Sequence, residues 1–139
     1  MKLGARFLST ITLFLPAALA VRVSYDELYD NASQDLEALT CADGPNGLET
    51  LGYTTLGSLP SFPNVAGAAA VTSFNSPNCG TCWQLTYNGK SINVLAVDHA
   101  GDGFVLSLEA LDTLTNGQGY TLDVIDAEVQ QVQRSQCGL

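Results

Sequence analysis

Cys82-Trp83-Gln84-Leu85-Thr86-Tyr87-Asn88-Gly89-Lys90-Ser91-Ile92-Asn93-Val94-Leu95-Ala96-Val97 is the stretch whose reading decides the fold. Trp83, Leu85 and Tyr87 alternate with Gln84 and Thr86, the two-residue period of a half-buried strand. Ile92 to Val97 is rich in β-branched residues, which pack well on a pleated surface. Between the two runs, Asn88-Gly89 supplies the residue pair that tolerates two positive φ angles, so the stretch predicts a type I′ hairpin.

Downstream, Asp98 sits at the end of the second strand, just before the Gly101-Asp102-Gly103 loop. Ser107 to Thr115 places Leu108, Leu111 and Leu114 on one helical face, with Ser107 as N-cap, Glu109 in the first turn and Gly117 just past the end. Tyr120 to Val132 alternates apolar residues with acids and glutamines, which predicts one or two strands.

Upstream the signals are weaker. Val21 to Tyr25 reads as a short arm, and Asn31 to Leu39 as a short helix or turn capped by Asn31 or Ser33. Ala42 to Gly47 reads as a loop, and Gly52 to Asn64 as a loop-rich segment with one helical turn. Val65 to Phe74 predicts a buried strand. Several short strands with two small helices argue for a β-rich barrel or sandwich rather than a βαβ fold.

The N-terminus is read differently. Lys2 and Arg6 precede the apolar run Phe7 to Leu19, which ends in Ala18-Leu19-Ala20, the layout of a cleavable signal peptide. The expected division is therefore a leader over 1–20 and one domain over 21–139. Cleavage would remove two of the five basic residues and none of the fourteen acidic ones, leaving three against fourteen, a formal charge of −11. Nucleic acid and anionic membrane surfaces need a basic patch that Arg22, Lys90 and Arg134 are too few to make, so neither is expected as a partner.

Export puts Cys41, Cys79, Cys82 and Cys137 in an oxidising compartment, where four cysteines read as two disulfides with three connectivities open. Pairing Cys79 with Cys82 closes only a tiny loop and constrains the unfolded chain least. A redox Cys-x-x-Cys would want a helix after it, and here a strand pattern follows. Structural zinc wants four Cys or His ligands, and His99 is the one histidine. Neither metal nor cofactor is expected. Asn31-Ala32-Ser33 is an N-glycosylation sequon, so Asn31 is a candidate modification site.

Val23-Ser24-Tyr25-Asp26, Cys41-Ala42-Asp43-Gly44, Asn46-Gly47-Leu48, Gly52-Tyr53-Thr54-Thr55, Phe62-Pro63-Asn64, Ser76-Pro77-Asn78-Cys79-Gly80-Thr81-Cys82-Trp83 and Asn93 to Gly101 occur in this order. Taken together they resemble the cerato-platanin family across nearly all of the domain. The resemblance implies a six-stranded double-psi β-barrel, similar to the first domain of expansins, with disulfides Cys41–Cys79 and Cys82–Cys137. It further implies a secreted, wall-associated, non-catalytic protein that binds chitin or β-glucan oligomers, loosens polysaccharide, and is met by a host immune receptor. Such a protein would be a monomer or weakly self-associating.

Asp98 matches the aspartate that expansins and related hydrolases keep in their polysaccharide groove. From the residues alone it either faces such a groove or caps the next loop. Tyr25, Asp26, Tyr53, Asn78 and Gln84 are the further carbohydrate-binding candidates, since they lie in or directly beside the matching segments and sugar sites combine aromatic faces with oriented polar groups. Trp83 is assigned to the core. Glycoside hydrolysis needs two carboxyls across the scissile bond, and only Asp98 falls in a matching motif, so no catalytic residue is assigned. The alternatives are a weak polysaccharide hydrolase using Asp98 and a surface-active coat protein.

Overall fold

Asn88 and Gly89 take φ angles of 46° and 78° in the computed structural model, which describes residues 19–139. The hairpin they close runs in unbroken antiparallel register from Tyr87↔Lys90 to Cys82↔Leu95. It is one third of a barrel. In chain order the strands are β1 (Leu19–Tyr25), β2 (Val65–Ala68), β3 (Cys82–Tyr87), β4 (Lys90–His99), β5 (Phe104–Leu106) and β6 (Ile125–Val132). They close in the order β1-β5-β2-β4-β3-β6, the six-stranded barrel implied by the resemblance.

Closure comes from mixed pairing: β1 with β5 and β2 with β4 are parallel, and the remaining neighbours are antiparallel. Val94 to Val97 of β4 are fully buried, and loop segments bond to their backbone, the Cys41 amide to the Val97 carbonyl and the Gly80 amide to the Ala96 carbonyl. Trp83 on β3 reaches Phe104 on β5, with ring centroids 5.6 Å apart. The two strands are opposite one another in the closed order, so this contact crosses the barrel, and Trp83 packs, partly buried, against the core.

Two helical elements follow β5: α1 (Leu108–Leu114) and α2 (Gly119–Leu122). Ser107 is the N-cap of α1, its hydroxyl accepting from the Ala110 amide at 3.0 Å and donating to the Pro63 carbonyl at 2.6 Å. Asp30, from far upstream, adds its carboxylate oxygens to the Leu108 and Glu109 amides at 2.8 and 2.9 Å, where negative charge is favoured.

Four expectations need correction. Val21 to Tyr25 is not a short arm but part of β1, which pairs with β5 and β6. The strand expected over Val65 to Phe74 ends at Ala68, because Ala69 and Val71 turn back to hydrogen-bond Gly103 and Ala68. Tyr120 to Leu122 is helical, and strand begins only at Ile125. Asn31 to Leu39 does hold a turn, the 3-10 turn Leu36–Ala38, but its cap is Asp35 rather than Asn31 or Ser33, and another turn at Glu27–Asp30 is capped by Asp26. The leader reading lies outside the described residues over 1–18; its last two residues, Leu19 and Ala20, pair with Val129 and Glu128.

Both disulfides form as the resemblance implied, Cys41–Cys79 and Cys82–Cys137. Cys79 and Cys82 therefore belong to different bridges, and the Cys-x-x-Cys run is structural.

Candidate functional site

The parallel pairing of β2 with β4 is irregular at one place. Ala66 opposes Ala96 and Gly67 opposes Asp98, so Val97 is an extra residue. A bulge of this kind bends the strand and re-aims the side chain beside it, and here that side chain is Asp98. The half-buried carboxylate receives three donors: the Tyr29 hydroxyl on Oδ2 at 2.8 Å, and the Thr40 and His99 amides on Oδ1, each at 2.9 Å. A carboxylate offers about four acceptor positions, so Oδ2 keeps capacity for one more donor.

Tyr29 was not singled out by the sequence. Its side chain is buried, and burial, followed by its bond to Asp98 and the charges of Asp98 and Asp26, pushes its hydroxyl well above the ordinary tyrosine range. It stays protonated and donates. Gly67 makes room for it, since a Cβ there would lie 3.0 Å from the Tyr29 hydroxyl and 3.1 Å from the His99 carbonyl. Gly67, a glycine inside the β2 strand, was the available signal, and it becomes legible only once β2 is known to lie beside Asp98.

The loop after β2 is tied to the same place. The Asn78 amide donates to the Ala70 carbonyl at 2.9 Å, and His99 Nδ1 donates to the next carbonyl, Val71, at 2.6 Å. Asn78 thus shapes the rim through the loop. Asp26 follows β1 and accepts from the Leu28 amide at 2.8 Å as a cap, while its charge reaches Tyr29.

Tyr25 ends β1 opposite Leu106. Partial burial, then the charges of Asp123, Tyr120, Glu27 and Asp112, pushes its hydroxyl up. Tyr53 packs half-buried on the core. Gln84 is elsewhere: it opposes Asn93 on β4 and Gln130 on β6. Asn93 is five residues before Asp98, roughly 16 Å along the strand. Asn31 is exposed and accepts from the Ser33 amide at 3.1 Å.

Among the described residues no cluster of His, Cys, Asp and Glu is arranged to hold a metal ion, and no helix is long and apolar enough to cross a membrane. What the arrangement offers is a fixed, half-buried acceptor framed by hydroxyl and amide donors.

Comparison with known proteins bears on what that acceptor serves. The cerato-platanin family model matches residues 21–139. The chain belongs to the cerato-platanin family. Cerato-platanin 3 from M. perniciosa is 46% identical and superposes with a TM-score of 0.84, covering 87% of this chain and all of the other. The solved structure of "the fungal elicitor Cerato-Platanin" is 36% identical with a TM-score of 0.76, over 84% and 96% of the two chains. In Coccidioides posadasii the "Heat-stable 19 kDa antigen" is 44% identical over 89% of this chain and 85% of its own. The cerato-platanin fold thus accounts for the six-stranded barrel with its two bridges.

Proposed function

We propose that this chain is a secreted, non-catalytic cerato-platanin that binds chitin or β-glucan oligomers across the Asp98 face and loosens their packing without cleaving them. The carrying observation is the setting of Asp98: a half-buried carboxylate held by Tyr29, Thr40 and His99, with one acceptor position left for a sugar hydroxyl. Hydrolysis would ask for a second carboxyl placed across the bond as base or nucleophile. Asp26, whose charge also reaches Tyr29, is engaged as a cap, which supports binding over turnover.

Two disulfides are in keeping with export. The relatives include a fungal elicitor and a heat-stable antigen, which supports recognition by a host immune receptor. A binder of this kind loosens polysaccharide by competing for the hydrogen bonds between its chains.

Binding of N-acetylglucosamine and β-glucan oligomers to Asp98→Asn and Asp98→Ala, assayed beside reducing-end release, tests the reading. Asn keeps an acceptor and part of the affinity, Ala loses roughly tenfold or more, and no reducing ends appear with any form. Release that vanishes in Asp98→Asn while binding persists would make the chain a hydrolase.

A further inference from the structure

Asn31-Ala32-Ser33 takes no part in the Asp98 site, and no other asparagine of the chain is followed two residues on by Ser or Thr. The asparagine of such a triplet, with no proline in the middle, is the acceptor of an N-linked glycan. A glycan is bulky and polar, so the fold has to leave its asparagine at the surface. Asn31, Ala32 and Ser33 are all exposed, and Asn31 borders an open depression of about 410 Å3 with Glu27, Asp30 and Leu108.

The triplet closes a turn with its own atoms. The Ser33 amide donates to Asn31 Oδ1 at 3.1 Å and the Gln34 amide to the Asn31 carbonyl at 3.0 Å. Side-chain bonds of this reach are local, so they are open to the nascent chain, which receives its glycan before it folds. They engage the oxygen of the Asn31 side chain and leave out Nδ2, the atom that joins the sugar.

Once folded, the protein holds this turn from both sides without covering it. Ahead of it, Tyr29 bonds to Asp98, and Asp30 to the Leu108 and Glu109 amides. Behind it, the Gly57 amide donates to the Ala32 carbonyl at 2.8 Å and the Leu56 amide to the Gln34 carbonyl at 2.9 Å. None of these anchoring bonds uses the Asn31 side chain, so a glycan there displaces none of them.

We propose that Asn31 is an N-glycosylation site that the folded domain carries without strain. The donor is an oligosaccharide on a lipid pyrophosphate, transferred by the membrane enzyme that modifies exported chains. A bond forms between Asn31 Nδ2 and C1 of the first N-acetylglucosamine, Nδ2 gives up a proton, and the lipid pyrophosphate leaves. The proposal rests on the reading of the chain as exported, and is independent of saccharide binding at Asp98.

The test expresses the full chain, residues 1–139, in a yeast that glycosylates its own exported proteins, and measures intact mass before and after the amidase that releases Asn-linked glycans. Protein from the medium should be heavier than the polypeptide, and the amidase should remove the excess and leave Asp at position 31 on peptide mapping. Ser33→Ala should lose the excess altogether. Ser33 serves the turn through its backbone amide, so this variant should keep the circular dichroism and melting temperature of the amidase-treated parent. Exported protein of bare polypeptide mass overturns the site and leaves export standing. An excess that survives in Ser33→Ala overturns it too, by placing the modification elsewhere. A chain kept in the cells with its first twenty residues attached and no glycan overturns the export reading and the site together.

Discussion

Tyr29 and Asp98, 69 residues apart in the chain, meet through a 2.8 Å hydrogen bond that ties the turn after β1 to the bulged end of β4. The donor is buried and the acceptor half-buried, and a hydrogen bond to a charged group contributes roughly 1.5–3 kcal/mol. Tyr29→Phe keeps the packing and removes the bond. It should lower stability by about that amount in chemical denaturation and shift the Thr40 and His99 amide resonances.

Tyr29 also makes stability fall at high pH. Its hydroxyl is raised above the ordinary 10.0 in the fold, so as pH rises the unfolded chain releases this proton first. The native state then binds more protons, and stability declines with pH. The contribution is intact below pH ~10 and falls above it by up to about 1.4 kcal/mol per unit. Denaturation curves from neutral to alkaline pH should show a shallower decline in Tyr29→Phe than in the parent.

Gly67→Ala should disturb the same pair from the other side. The added methyl meets the Tyr29 hydroxyl and the His99 carbonyl at 3.0 and 3.1 Å, and one of these contacts is backbone. Overpacking of this kind costs about 1–3 kcal/mol. A crystal structure of the variant should show the Tyr29–Asp98 distance lengthened.

Replacing Cys82 and Cys137 together should cost ~2–5 kcal/mol, the usual loss for a bridge in a small secreted domain. Peptide mapping of the parent protein should return Cys41–Cys79 and Cys82–Cys137, and thermal melts should show the double variant well below it. A Cys79–Cys82 peptide would contradict the fold.

Local signals in the sequence carried the hairpin and α1, because Asn88-Gly89 and the Ser107 cap act within a few residues. The barrel was legible only through the family motifs, since its parallel pairs, β1 with β5 and β2 with β4, join segments far apart that carry weak patterns of their own. Asp98 was found by motif. Tyr29, Thr40 and Gly67 were not, because what joins them to Asp98 is a bulge and three loops meeting, and no spacing rule encodes that. Asp30 was missed for the same reason: its bonds to Leu108 and Glu109 span 78 and 79 residues.

Polysaccharide binding at the Asp98 face, as proposed, would be felt directly by the Thr40 and His99 amides, both aimed at Asp98 Oδ1. Their 1H–15N resonances, followed as N-acetylglucosamine and β-glucan oligomers are added, should shift saturably in the parent protein. The response should shrink in Asp98→Asn. Resonances that stay fixed through the titration with both oligomers would mean that the Asp98 face does not bind them.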